Sequence, residues 1–218
     1  MGVFLAPDME RYAAESARIH ELFLSITPEI EPIALDEAFL DISASTTLLG
    51  EPETIGRRLK SRVREVTGLC ISIGIAENKL LAKLACTLGK PDGLRLVQPG
   101  EGRALLAPLP VRRLWTIGRV TAEALTLAGF TRIGELAASS PEQLRPWLGR
   151  RAEQVIALAN GLDDRPVVST REAKSLGEEC TFEQDTLDRQ VIAETLAAHA
   201  EAVARRMRRE SLQGRTVT

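Results

Sequence analysis

Apolar positions along this chain switch between helical and strand periods, and the switches mark its elements. Residues 9–26 carry Tyr12, Ile19, Leu22, Phe23 and Ile26 at helical spacing, and Pro28 stops the run. Residues 30–43, IEPIALDEAFLDIS, read as an apolar strand, an adjacent Asp36-Glu37 pair, and a second strand with Phe39, Leu40 and Ile42. A turn at Gly50-Glu51-Pro52 precedes a basic amphipathic helix over 54–66. A strand over 69–76, interrupted by Gly74, leads to Asn78, a good helix N-cap. The helix over 79–88 then sets Leu80, Leu81, Leu84, Ala85 and Leu88 on one face. Lys79, Lys83 and Lys90 fall together on the other, and 94–97 is a further strand. Strands and helices in this alternation predict a mixed α+β or α/β fold, a sheet with helices on one face.

After Pro99 the pattern changes to short helices. Residues 109–122, LPVRRLWTIGRVTA, read as a helix-hairpin-helix turning at Ile117-Gly118 before Arg119. Such a hairpin lets backbone N–H groups at a helix start meet a nucleic-acid phosphate, and a plain helical turn is the alternative. Trp115 and Trp147 are expected to pack the core of this helical unit. The helix over 151–159 ends at Asn160-Gly161, and the polar stretch 166–174 is the best linker. A strand over 175–182 and a long helix over 187–212 follow.

Composition narrows the function. The formal net charge is −2, with 28 basic and 30 acidic residues, which argues against a generic nucleic-acid binder. The distribution moderates that. Basic residues cluster over 57–64 and 79–95 and again at Arg205, Arg206, Arg208 and Arg209, while acids collect over 178–188. A locally basic face suits weak, sequence-independent DNA contact. The three cysteines, Cys70, Cys86 and Cys180, match no metal or redox spacing and read as reduced core thiols of a cytoplasmic protein. No apolar run has transmembrane length.

The carboxylate pair carries the chemistry. Neighbouring strand side chains point to opposite faces, so Asp36 and Glu37 share a site only if the chain bends tightly there. Such a bend presents hard oxygen ligands to Mg²⁺, although a solvated turn has the same composition. The lysine row, with no acid among its members, suggests that phosphates come between it and the pair.

The segments Glu31-Pro32 through Asp36-Glu37-Ala38-Phe39-Leu40-Asp41, then SIGIAENKLLAK from Ser72 to Lys83, then Lys90-Pro91-Asp92-Gly93, resemble motifs of the Y-family, the translesion DNA polymerases of the DNA polymerase IV (DinB) type. The resemblance implies a palm over 1–101 without its first strand and fingers, and a helical thumb with a helix-hairpin-helix over 102–165. A linker over 166–174 and the start of a little finger over 175–218 complete it. It implies two-metal nucleotidyl transfer with Mg²⁺, in which Asp36 bridges both ions and Glu37 completes the site for the hydroxyl-activating one. Lys90 would contact the nucleotide triphosphate. Ile117, Gly118, Arg119, Lys79 and Lys83 are the DNA-binding candidates. Asp41 would be structural.

The implied partners are primer-template DNA and deoxynucleoside triphosphates, with a sliding clamp reached through a tail this sequence does not include. The family's first palm carboxylate is also not found, so this chain alone is expected not to extend a primer. Two departures stand out: Ala34 where the family often has Ser, and Thr116 where its hairpin has Gly. Two other readings share these residues. One is a non-catalytic DNA-binding remnant or regulatory fragment; the other is a nucleotide cyclase on a similar palm.

Overall fold

A computed structural model of the chain describes residues 2–170 and 174–218. Residues 171–173 of the expected linker lie outside them. The chain forms two compact units, Met1–Ser169 and Thr170–Thr218.

The first unit opens with α1 (Met9–Leu24), capped by Asp8, whose side chain accepts from the Arg11 amide. A β-hairpin of β1 (Ile30–Ala34) and β2 (Glu37–Leu40) follows, antiparallel, with Ile30 opposite Leu40 and Ala34 opposite Glu37. Then come α2 (Thr46–Leu49), α3 (Pro52–Thr67), β3 (Ile73–Ile75), α4 (Lys79–Gly89) and β4 (Leu94–Leu96), with β3 and β4 parallel. The expected single sheet is thus two two-stranded sheets. The strand predicted over 69–76 is only three residues long, because β4 pairs with no more than Ile73–Ile75.

Five short helices follow: α5 (Gly102–Leu106), α6 (Arg119–Leu127), α7 (Ile133–Ala137), α8 (Pro141–Leu148) and α9 (Ala152–Ala159). Each is too short to persist alone in water, so packing must hold them. Leu106, Leu114, Leu125, Ile133, Leu136 and Leu144 are fully buried together, and Leu80, Leu81 and Leu84 of α4 belong to the same core. One apolar interior therefore runs from α4 into the short helices. Trp115 packs against it. Trp147 does not meet its expectation: it stays 40% exposed and stands edge-on to Phe130 at 5.7 Å, at the surface.

Gly74 shows how closely α4 lies on β3. A Cβ there would come within 2.0 Å of the Ala82 carbonyl oxygen and 2.3 Å of the Cys86 amide nitrogen. The strand needs a residue without a side chain at that point.

In the second unit, α10 (Arg189–Arg209) is capped by Asp188, which accepts from the Gln190 and Val191 amides. Arg206 donates to the Gly177 carbonyl and to Glu178, the latter at 2.6 Å. The strand predicted over 175–182 does not form, because a strand needs a ladder partner and none faces it among the described residues. No residue of α10 is buried.

Candidate functional site

The Asp36-Glu37 pair sits at a tight bend. Register places Leu35 and Asp36 at the two-residue tip, with Glu37 as the first residue of β2. Ser16 of α1 fixes the tip by donating its hydroxyl to the Leu35 carbonyl. Asp36 is exposed there, and Glu37 is partly buried. The tip lines a cleft of about 1240 Å³ together with Lys83 and Lys90, so the carboxylate pair and two of the three lysines meet in one hollow. The cleft's apolar walls include Ile19, Phe23, Leu59 and Ile73.

The lysines do not form the open row that helical phase predicts. Lys79 is 7% exposed, and its ammonium donates to Glu31 at 2.6 Å. Lys83, one turn on, donates to Glu37 at 2.7 Å. Lys90 remains exposed at the helix end. The partners come from a hairpin 48 and 46 residues earlier in the chain, which a local reading of α4 leaves out. Two ion pairs a helical turn apart thus fasten α4 along the hairpin. A lysine buried against a carboxylate presents no free charge to a DNA phosphate in this arrangement.

Glu37 is tuned by this arrangement. The Lys83 hydrogen bond, foremost, and the charges of Lys83 and Lys90 hold its carboxyl below the ordinary glutamate range, against a smaller upward push from burial. A carboxyl depressed in the folded state adds stability above its unfolded pKa and loses it as pH falls through the folded value. The pair therefore holds at neutral pH and opens only in acid, below the ordinary glutamate range. Lys83→Met should move the Glu37 titration midpoint upward, read from its side-chain carboxyl carbon by NMR. An unmoved midpoint would show that Lys83 does not set it.

Around this pair lies a cluster that no single motif announces. Phe39 stands 5.6 Å from Trp115 between ring centroids, with Lys79 5.5 Å above Phe39. Trp115 has Lys83 at 5.9 Å and Arg165 at 4.5 Å from its centroid. Arg165 is held by Asp163 at 2.6 Å, and Asp163 also accepts the Leu80 amide at 3.1 Å. Glu31 accepts the Val168 amide at 3.0 Å, and Asn78 donates to the Gly161 carbonyl at 2.8 Å. Residues 161–168 are thereby laced back onto β1 and the start of α4. Only the polar character of Glu31 inside an apolar strand hints at this in the sequence.

The second candidate surface is the turn before α6. The side chain of Ile117 is buried, and its amide is spent on the Leu114 carbonyl at 3.0 Å. Gly118 is the N-cap of α6 without a side-chain cap, and Arg119 opens the helix with its side chain 88% exposed. Of the three candidates, Gly118 and Arg119 face solvent and Ile117 holds the turn to the core. Thr116 adopts φ 90°, the left-handed region that suits glycine, and its hydroxyl is buried with no hydrogen-bond partner among the described residues. Arg151 donates to its carbonyl at 2.7 Å. The glycine-like turn is thus kept by a strained threonine. Thr116→Gly should raise stability by about 1 kcal/mol, read as a higher urea midpoint; a lower midpoint would contradict the strain.

Asp36 and Glu37 are hard oxygen donors of the kind a Mg²⁺-sized ion takes, one open and one held by an ammonium. Among the described residues no group of three or more His, Cys, Asp or Glu is assembled for a metal. The donor set therefore fits part of a divalent-ion shell. Asp41 accepts from the Ser43 amide at 2.9 Å and shapes the end of the hairpin. Among the described residues no helix is long and apolar enough to cross a membrane.

The impB/mucB/samB family model matches residues 1–87, the IMS family HHH motif residues 99–130, and the family's C-terminal domain residues 173–218. The DNA polymerase IV of Halorhodospira halophila is 42% identical over 99% of this chain and 61% of its own length. That of Methanoculleus marisnigri is 41% identical over 100% of this chain and 60% of its own. The chain spans about three-fifths of the length of these curated relatives. Among solved structures, a Y-family DNA polymerase chimera of Dbh and Dpo4 superposes with a TM-score of 0.84 at 26% identity, over 93% of this chain and 59% of that one. A DinB-family error-prone DNA polymerase from Sulfolobus solfataricus does so with a TM-score of 0.71 at 25% identity, over 93% and 61%. With three segments of the impB/mucB/samB family matched in order, the chain belongs to that family, and it is similar along its whole length to relatives named DNA polymerase IV.

Proposed function

We propose that this chain is part of a translesion DNA polymerase, and that it supplies a carboxylate pair for nucleotidyl transfer and a thumb that grips DNA. The observation that carries the reading is the meeting of Asp36, Glu37, Lys83 and Lys90 in one cleft at a hairpin tip. Mg²⁺, when bound, would activate the primer hydroxyl and neutralise charge on the phosphates. Asp36 and Glu37 would hold it. Asp36 stands open for a ligand, whereas Glu37 must first part from Lys83. Lys90, exposed at the mouth, is placed to attract the triphosphate of a deoxynucleotide.

The DNA contact falls to Gly118, Arg119 and the neighbouring Arg113. An uncapped helix start beside an exposed guanidinium suits a phosphate. In this reading 1–101 serves as palm, 102–165 as thumb, 166–174 as linker and 175–218 as part of the little finger, and the protein acts in the cytoplasm. A sliding clamp would be met elsewhere in a full-length polymerase.

Binding to a primer-template duplex, followed by fluorescence anisotropy over a salt series, tests the thumb. Affinity should fall steeply with salt. Arg113→Glu with Arg119→Glu should weaken it and lower the salt slope by about 1 per lost phosphate contact. Glu179→Gln should change neither. Mn²⁺-induced NMR broadening tests the tip and should centre on residues 35–38. DNA binding without broadening there would favour the non-catalytic DNA-binding reading. Affinity indifferent to salt and to both arginines would leave the helical unit a plain structural domain.

A further inference from the structure

We propose that Trp115 is a positioning residue that couples the DNA-facing turn to the carboxylate tip, so that each site feels the other's occupant. The proposal rests on the reading that these two places take DNA and a divalent cation. Trp115 directly precedes Thr116, whose carbonyl is pinned by Arg151 and whose φ is 90°. The turn at 116–118 therefore has little slack at its start, and a pull on it is passed to the indole. The ring meets the tip through two groups. Phe39 lies 5.6 Å away and is two residues beyond Glu37 on the same strand, hence on the same face. Lys83, the cation that holds Glu37, lies 5.9 Å from the ring centroid.

The physical coupling is an exchange of partners. A divalent cation on Glu37 takes the carboxylate from Lys83. The ammonium then has the indole face as its near attraction, and that attraction grows when the anion no longer competes. Arg165 already sits closer to the same ring, at 4.5 Å. A second cation drawn to Trp115 shifts the ring, and the ring carries Thr116 with it. Linkage makes the effect mutual: whatever the metal does to DNA affinity, DNA does to metal affinity.

The test compares affinity for a primer-template duplex with and without saturating Mn²⁺, at constant ionic strength, on the full chain. In the unmodified protein Mn²⁺ should tighten DNA binding about fivefold. Trp115→Leu should bind both ligands yet lose the fivefold effect, and Trp115→Phe, which keeps a ring, should recover part of it. Lys83→Met leaves the indole in place and removes the exchanged cation, so it too should abolish the effect. This keeps the proposal testable should Trp115→Leu fold poorly. A Mn²⁺ effect of equal size in Trp115→Leu or in Lys83→Met would overturn the coupling. So would DNA and Mn²⁺ binding independently in the unmodified protein. Failure of the unmodified protein to bind DNA or Mn²⁺ at all would instead overturn the functional reading, and the coupling with it.

Discussion

Replacing Lys79 by Met is expected to cost the fold about 3–5 kcal/mol, the range for stripping one partner from a buried ion pair. The side chains of Lys79 and Glu31 are only 8% and 5% exposed, and the ammonium is 2.6 Å from the carboxylate. Methionine matches the lysine stem in shape, so the loss reflects an ammonium missing beside a buried carboxylate rather than a cavity. Glu31 keeps the Val168 amide, which donates to it at 3.0 Å. The double variant Glu31→Leu with Lys79→Met removes both charges and should recover part of the loss, since an apolar replacement of a buried pair is often neutral. Urea unfolding of the two variants decides it. A single variant within 1 kcal/mol of the parent would mean that water reaches the pair.

Gly74→Ala should be comparably severe, at about 3 kcal/mol or more, the upper end of what overpacking costs. The added methyl meets main-chain atoms of α4, at 2.0 and 2.3 Å, and a helix backbone cannot step aside as a side-chain tip can. Relief requires α4 to lift from β3, which also draws Lys83 away from Glu37. Gly56→Ala provides the contrast. Its methyl would meet the terminal carbons of Leu94 and Ile75, at 2.8 and 3.2 Å, which can rotate. A small drop in melting temperature for Gly56→Ala beside a collapse for Gly74→Ala is the expected result. Native-like melting of Gly74→Ala would show that the strand and helix are not in such close contact.

What could be read from the sequence follows the range of the forces involved. The bend at Asp36-Glu37, the Asn78 cap and the span of α4 rest on neighbours within a few residues, and the structure places all three where periodicity and capping do. The departure at Thr116 was visible as a threonine in a glycine position, but its φ of 90° and stranded hydroxyl needed the fold. The lysine face of α4 misled because helical phase says which residues share a side, not what is laid over it. The Glu31 and Glu37 partners come from distant chain, as do Asp163 and Arg165 around Trp115. The strand over 175–182 had a plausible pattern and no partner, and strand pattern without a ladder does not hold.

The lacing of 161–168 onto β1 has a consequence for the order in which the molecule can be made. Glu31 meets its Val168 donor across 137 residues and its lysine across 48. As the chain leaves a ribosome, the Lys79 ammonium can reach Glu31 only after residue 79 has emerged, so the first hairpin cannot reach its final burial early. At roughly 5–20 residues per second, the last stitch follows many seconds after the hairpin itself is synthesised. During that interval the apolar faces of α1, β1 and β2 are without their final cover, the span in which a nascent chain most depends on a holdase.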